Sequence, residues 1–232
     1  MMMSSAGLIL SAVSQRFPIS VLTMAIAAGA AVWAQGQPVP PPKEDAPLST
    51  GRSSQKAVVA AGCFWGVEAV YRQVKGVTRA VSGYAGGAGA TAHYEIVSTG
   101  RTAHAESVEV TYDASKVTYG QILRVFFSVA HDPTELNRQG PDVGPQYRSA
   151  IFFSDKDQER IAKAYIAQLD EARVFGKKIA TVVAPLPAFY PGEDYHQDYV
   201  ANHPGEPYVM FNDAPKIKKL QALLPDLFVE RR

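Results

Sequence analysis

The sequence predicts a two-layer α+β domain, and three observations carry that expectation. The run Ala57-Val58-Val59-Ala60-Ala61 is continuously apolar, as a strand covered on both faces must be. Residues 106–112 alternate with period two, while Phe64–Val74 and Asp155–Ala172 repeat their apolar positions at helical spacing. Strand and helix signals then interleave along one chain, the pattern of helices laid on a sheet.

Gln55–Ala61 is the first strand. Phe64–Val74 follows as a helix with Val67, Val70, Tyr71 and Val74 on one face and Gly76 as its C-terminal stop. Val77, Arg79 and Val81, set against Thr78, Ala80 and Ser82, predict a second strand. In the third, Glu106, Val108, Val110 and Tyr112 share one face and Ser107, Glu109 and Thr111 the other. Thr118 with Gln121 forms a capping-box pattern ahead of Ile122, Leu123, Phe126, Phe127 and Ala130. Ser149–Phe153 reads as a strand, and Asp155–Ala172 as a helix with Ile161, Tyr165, Leu169 and Ala172 in line. Ile179–Ala184 reads as a further strand. The polar, Gly- and Pro-containing stretch from His131 to Arg148 is too long for an ordinary connection, which predicts that it lines a site.

At 232 residues, 47% hydrophobic and 19% charged, the chain can bury one substantial core. Lys plus Arg number 23 against 22 Asp plus Glu, with no basic run that could track phosphates, so nucleic acid is excluded as a partner. Lys216, Lys218 and Lys219 read as a solvated helix face. No His-Glu-x-x-His is present and one cysteine cannot build a thiolate cluster, so no metal is expected. Residues 1–34 read as an export signal to the periplasm: no acid, Arg16 alone in the n-region, an apolar stretch Ile19–Val32, and Val32-Trp33-Ala34 as the cleavage site, with an uncleaved anchor as the alternative. Residues 35–54, with Pro38, Pro40, Pro41, Pro42 and Pro47, form a Pro-rich linker outside the fold. The catalytic domain is assigned to residues 55–212, and residues 213–232 to a C-terminal tail with a short helix.

The only cysteine, Cys63, sits in Gly62-Cys63-Phe64-Trp65-Gly66, between the first strand and the first helix. There it meets the free N–H groups and positive dipole end of the helix, which favour thiolate over thiol. In an oxidising compartment thiols are normally paired, so an unpaired one is a candidate functional group. Glu106 is the second candidate. It lies on the apolar face of its strand, where burial raises a carboxyl's pKa and makes it a proton donor at neutral pH; Glu109, one pleat out of phase, is expected to be inert.

This pentapeptide resembles a motif of the A-type peptide methionine sulfoxide reductases. Gly83-Tyr84-Ala85-Gly86-Gly87, His104-Ala105-Glu106, His131-Asp132-Pro133-Thr134, Asn137-Arg138-Gln139-Gly140, Gln146-Tyr147-Arg148-Ser149 and Glu193-Asp194-Tyr195-His196-Gln197 are similar to further motifs of that family, in the family's order. The resemblance covers roughly residues 55 to 212. It implies a central mixed sheet flanked by helices in a ferredoxin-like α/β sandwich, and reduction of methionine-S-sulfoxide, free or in proteins, to methionine. A sulfoxide needs a soft nucleophile on sulfur and an acid on oxygen, roles that Cys63 and Glu106 fill. Attack leaves Cys63 as a sulfenic acid. The resemblance further implies that Phe64 and Trp65 receive the methyl group, that Tyr94 and Tyr147 donate hydrogen bonds to the sulfoxide oxygen, and that Asp142 belongs to the hydrogen-bonding shell.

Many family members carry resolving cysteines near the C-terminus, and this chain has none. No bound cofactor is expected; a monomer recycled by an external thiol (thioredoxin, glutaredoxin or a small thiol) is. Two other classes compete. A Cys-His hydrolase or acyltransferase would use His104, His131 or His196 as base, with Asp132, Asp142 or Asp194 as orienter. A non-enzymatic peptide-binding domain would use Phe64 and Trp65 as an aromatic slot.

Overall fold

The computed structural model describes residue 1 and residues 37–231, so the export signal assigned to residues 1–34 lies almost wholly outside the described residues. In chain order the elements are β1 (Ser54–Ala61), α1 (Phe64–Arg72), β2 (Val77–Ala85), α2 (Tyr94–Val97), β3 (Ala105–Asp113), α3 (Tyr119–Val125), β4 (Arg138–Gln139), β5 (Asp142–Val143), β6 (Ser149–Phe153), α4 (Lys156–Glu171), β7 (Val182–Pro185), β8 (Phe189–Pro191), α5 (Tyr199–Asn202) and α6 (Ala214–Leu223). Six strands form one mixed sheet in the order β7-β6-β1-β3-β2-β8; every pairing is antiparallel except β6 with β7. β4 and β5 form a separate two-stranded ribbon.

The two faces of β1 enter different clusters. Ala57, Val59 and Ala61 join the main core, with Tyr71 of α1, Ile122 and Leu123 of α3, Ile161, Tyr165 and Leu169 of α4, and Leu220 of α6. Val58 and Ala60 join a smaller cluster with Ala85, Ala105, Ala150 and Phe152. The central strand is therefore dry on both sides, which is why its sequence shows no alternation.

The capping box forms as the sequence predicts: Thr118 Oγ1 accepts from the Gln121 N–H at 3.1 Å, and Gln121 Oε1 accepts from the Thr118 N–H at 2.9 Å. α3 then runs into a single π turn over Phe126–Ala130, which keeps the predicted apolar stripe buried. Asp155 caps α4 by accepting the Gln158 N–H at 2.8 Å.

Four expectations need correction. The strand read at Ile179–Ala184 begins only at Val182, because Ile179 donates its N–H to Asp170 Oδ1 at 2.9 Å and buries its side chain in the core. Ala172 is exposed, past the end of the buried stripe of α4. The Pro-rich segment packs on the domain as a strap. Val39 is buried, Tyr165 donates to the Pro40 carbonyl at 2.7 Å, and Asp45 accepts from the Gly120 N–H at 2.7 Å and from the Thr118 hydroxyl. The C-terminal tail is part of the core. Leu220, Leu224 and Leu227 are buried, and the Val229 N–H donates to the Gln73 carbonyl at 2.9 Å, at the C-terminal end of α1.

Candidate functional site

The site is built at the N-terminus of α1. Gly62 turns the chain out of β1 at φ +83°, and a Cβ there would lie 2.6 Å from Gln139 Cβ, so both the conformation and the close approach of β4 require glycine. That turn makes Cys63 the N-cap of α1. The expected thiolate does not hold for the free protein: burial, then the Glu106 and Asp213 carboxylates, push the Cys63 thiol well above its ordinary range. The nearby Trp65 N–H and the charge of Lys216 oppose the rise and are outweighed. Desolvation of a nearly enclosed sulfur exceeds the pull of the helix end.

Glu106 is 2% exposed, on the face of β3 that its alternation predicts. Its Oε2 accepts the N–H of Phe64, the first residue of α1, at 3.1 Å. Burial is the main reason its pKa is raised to about 8; that hydrogen bond pulls the other way, and Asp142 and Asp213 add to the rise. Glu106 is therefore mainly protonated at neutral pH, beside the residue that caps the helix.

Around this pair the structure gathers side chains from distant segments. Tyr94 opens α2, half-buried, with its N–H donated to Glu193 Oε1 at 2.9 Å. Tyr147, in the 3₁₀ turn Pro145–Tyr147, and Tyr94 both have raised pKa values, chiefly by burial and then by Glu106, so both phenols stay protonated and can donate. Asp142 Oδ2 accepts from the Tyr208 hydroxyl at 2.5 Å. Tyr94 and Tyr147 both feel the charges of Cys63, Glu106 and Asp142, and Glu106 feels that of Asp142, so these five side chains lie close together. Phe64 is buried with its ring 4.9 Å from His196 and 5.8 Å from Tyr84. Trp65 stacks on Tyr199 at 3.7 Å and meets Tyr208 edge-on at 5.9 Å. Its Nε1–H donates to His196 Nδ1 at 3.1 Å, which leaves the proton of a neutral His196 on Nε2.

Tyr208, Asp213 and Glu193 are not among the residues the sequence singles out for the site, and His196, which supports it together with Glu193, is singled out only as the base of a rival hydrolase. Glu193 bridges the Tyr94 N–H and the Tyr84 hydroxyl, the latter at 2.8 Å, and so holds α2 to the sheet. The motif around Glu193 was the signal available for this pair. Tyr208 and Asp213 lie more than 140 positions from Cys63 in an otherwise unmarked segment. The histidines a hydrolase would draw on have other partners: His104 Nε2 pairs with the Ala88 carbonyl at 2.9 Å, His131 Nε2 with Ser149 Oγ at 2.7 Å, and His196, inside the site, spends Nδ1 on the Trp65 Nε1–H. Among the described residues no group of three or more His, Cys, Asp or Glu is placed to hold a metal ion, and no helix is long and apolar enough to cross a membrane.

The family model described as peptide methionine sulfoxide reductase matches residues 55–226, most of the chain. The chain belongs to the peptide methionine sulfoxide reductase family. It is 56% identical over 178 residues to peptide methionine sulfoxide reductase MsrA 2 of Mesorhizobium japonicum, covering 77% of this chain and 91% of that protein. It is 52% identical over 190 residues to the Synechocystis protein of the same name, covering 81% and 89%. Among solved structures, the reduced form of Mxr1 from Saccharomyces cerevisiae matches with a TM-score of 0.60 and 32% identity, over 71% of this chain and 92% of that one. Methionine sulfoxide reductase A of Corynebacterium diphtheriae matches with a TM-score of 0.58 and 35% identity, over 65% and 76%. The family's activity is reduction of methionine sulfoxide, and this chain is an enzyme of that class.

Proposed function

We propose that Cys63 is the nucleophile and Glu106 the general acid in the reduction of methionine-S-sulfoxide, free or in proteins, to methionine. The observation that carries this reading is the protonated, buried Glu106 bonded to the first N–H of the helix that Cys63 caps. The Cys63 sulfur attacks the sulfoxide sulfur as Glu106 protonates the sulfoxide oxygen, aided by hydrogen bonds from Tyr94 and Tyr147. The thiol proton replaces the one Glu106 gave up. The S–O bond of the substrate breaks and its oxygen departs as water; that water adds to the Cys63 sulfur as the S–S bond formed in the attack breaks. The thioether leaves with the bonding pair, Cys63 is left as S–OH, and two electrons have passed from the cysteine sulfur to the substrate sulfur.

Phe64 and Trp65 form the wall for the substrate methyl group, with the Tyr208 ring edge-on against Trp65 and its hydroxyl bonded to Asp142. Fixed methyl and oxygen sides on either flank of Cys63 admit one epimer at sulfur. The order β6-β1-β3-β2, joined as strand, α1, strand, strand, α3, strand, supports reading the core of the fold as ferredoxin-like. Recycling passes through an external thiol, a thioredoxin- or glutaredoxin-like protein or a small thiol, and the apolar stretch in residues 1–34 supports export to the periplasm. The test is turnover of the two separated sulfoxide epimers by the mature enzyme with dithiothreitol, followed by its intact mass. The S epimer alone should react; equal rates for both would refute the pocket assignment.

A further inference from the structure

The three lysines read as one solvated face divide in the fold. Lys218 and Lys219 are exposed. Lys216 turns inward from the first turn of α6, its side chain 18% exposed and its Nζ 3.2 Å from Oδ1 of the fully buried Asp213. The other oxygen of Asp213, Oδ2, has no hydrogen-bond partner. Both groups press on the α carbon of Gly66: a Cβ there would collide with the Asp213 carboxylate and come within 2.8 Å of Lys216 Nζ. Gly66 is the third residue of α1, and the side chain of an N-cap lies over the N–H groups of the second and third. The last glycine of the Cys63 motif thus makes room for a buried ion pair against the first turn of the helix that Cys63 opens.

We propose that Lys216, held in place by Asp213, is a positioning residue for Cys63 whose ammonium supplies the countercharge as the thiol becomes a thiolate. The groups that face the sulfur come from several elements. Glu106 of β3 and Asp213 of the π turn Val209–Asp213 are acids that disfavour the anion. The phenols of Tyr94, Tyr147, Tyr199 and Tyr208 have raised pKa values and remain uncharged. Lys216 is the cation that opposes the acids. With the sulfur desolvated and a protonated acid needed beside it, a fixed positive charge one turn away lets the nucleophile ionise without ionising Glu106.

This role rests on the nucleophile assigned above, and its test is independent of sulfoxide chemistry. The reduced full chain is alkylated with iodoacetamide across pH, with no sulfoxide present, in the natural protein and in Lys216→Gln, Lys216→Met and Lys216→Arg. Lys216→Gln keeps a hydrogen bond to Asp213 and removes only the charge, so the packing survives. Alkylation at pH 7 should slow roughly tenfold and its midpoint move to higher pH, kcat for methionine sulfoxide should fall by a similar factor with KM unchanged, and Lys216→Arg should restore both. Superposable alkylation profiles for the natural protein and both neutral variants would overturn the role of Lys216 and leave sulfoxide reduction standing. Normal alkylation of the natural protein without sulfoxide turnover would overturn the catalytic reading instead.

Discussion

Glu106 and Glu109 lie three positions apart on one strand and meet opposite surroundings. Glu106 is closed into the core, whereas Glu109 faces outward and pairs with the exposed Lys56 at 2.9 Å. Glu106→Gln should slow the sulfoxide step by about 10²- to 10⁴-fold, and Glu109→Gln should leave it unchanged, in single-turnover assays. Sensitivity at Glu109 rather than Glu106 would mean that the proton comes from outside the pocket. Cys63→Ser should abolish turnover while the thermal midpoint stays close to that of the natural protein, since oxygen replaces sulfur at little change in volume. Glu106 also ties the site to stability. Its folded pKa of about 8, and that of buried Glu68 at about 7, lie above the ordinary carboxyl value of 4.5, so the folded chain holds protons that the unfolded chain releases. Their contribution is complete below the unfolded value and is lost as pH rises through 7 to 8, by at most about 1.4 kcal/mol per pH unit for each group. His131, buried and lowered to about 3, acts in the opposite sense, but only below its ordinary 6.5. The thermal midpoint should therefore fall from pH 6.5 to pH 8, and Glu106→Gln should flatten the fall; an identical slope in the variant would contradict the protonated carboxyl.

At the scale of elements, α3 depends on residues outside itself. Its capping box is reinforced by Asp45 of the strap, which takes the Gly120 N–H and the Thr118 hydroxyl and so satisfies first-turn donors that the helix leaves free. Asp45→Ala should cost about 1 to 2 kcal/mol in urea unfolding and leave kcat unchanged, because the strap packs on α3 and α4, away from Cys63. A loss of activity without loss of stability would show that the strap reaches the site. The Thr118 capping box was legible because its two residues sit three apart in one short string. The Asp45 contact joins residues 73 apart, a separation over which a Pro-rich string reads only as a linker.

For the molecule as a whole, the course of residues 213–231 bears on recycling. Residues 227–231 are held at the far end of α1 by hydrogen bonds to Gln73 and Lys75, and α1 with its nine residues spans about 13 Å from the turn that Cys63 caps. Residues 213–231 carry no thiol, and residues 227–231 are anchored away from the sulfur. Substrate given to the reduced enzyme without reductant should therefore release one thioether per Cys63 and stop, leaving a gain of one oxygen that a dimedone-type probe can tag. Added thiol should convert that product to a mixed disulfide and restore turnover. A Cys63-to-Cys63 dimer as the main, kinetically competent product would show resolution between two copies instead.

The family and the candidate pair of the proposed chemistry were legible in short strings: a lone cysteine between a buried strand and a helix, a glutamate on the apolar face of an alternating strand, and an ordered set of motifs. Those properties depend on neighbours a few residues apart, where strand and helix periods dictate which side chains share a face. The tertiary structure decided the electrostatics. Cys63 is a thiol and not a thiolate because enclosure by Glu106, Asp213 and the surrounding aromatics outweighs the helix end, and enclosure is a sum over segments far apart in the chain. It also turned Lys216 inward, laid the Pro-rich strap on α3 and α4, and drew the tail into the core. Each of these depends on which distant surface a local element meets, and that is set only when the whole chain closes around one core.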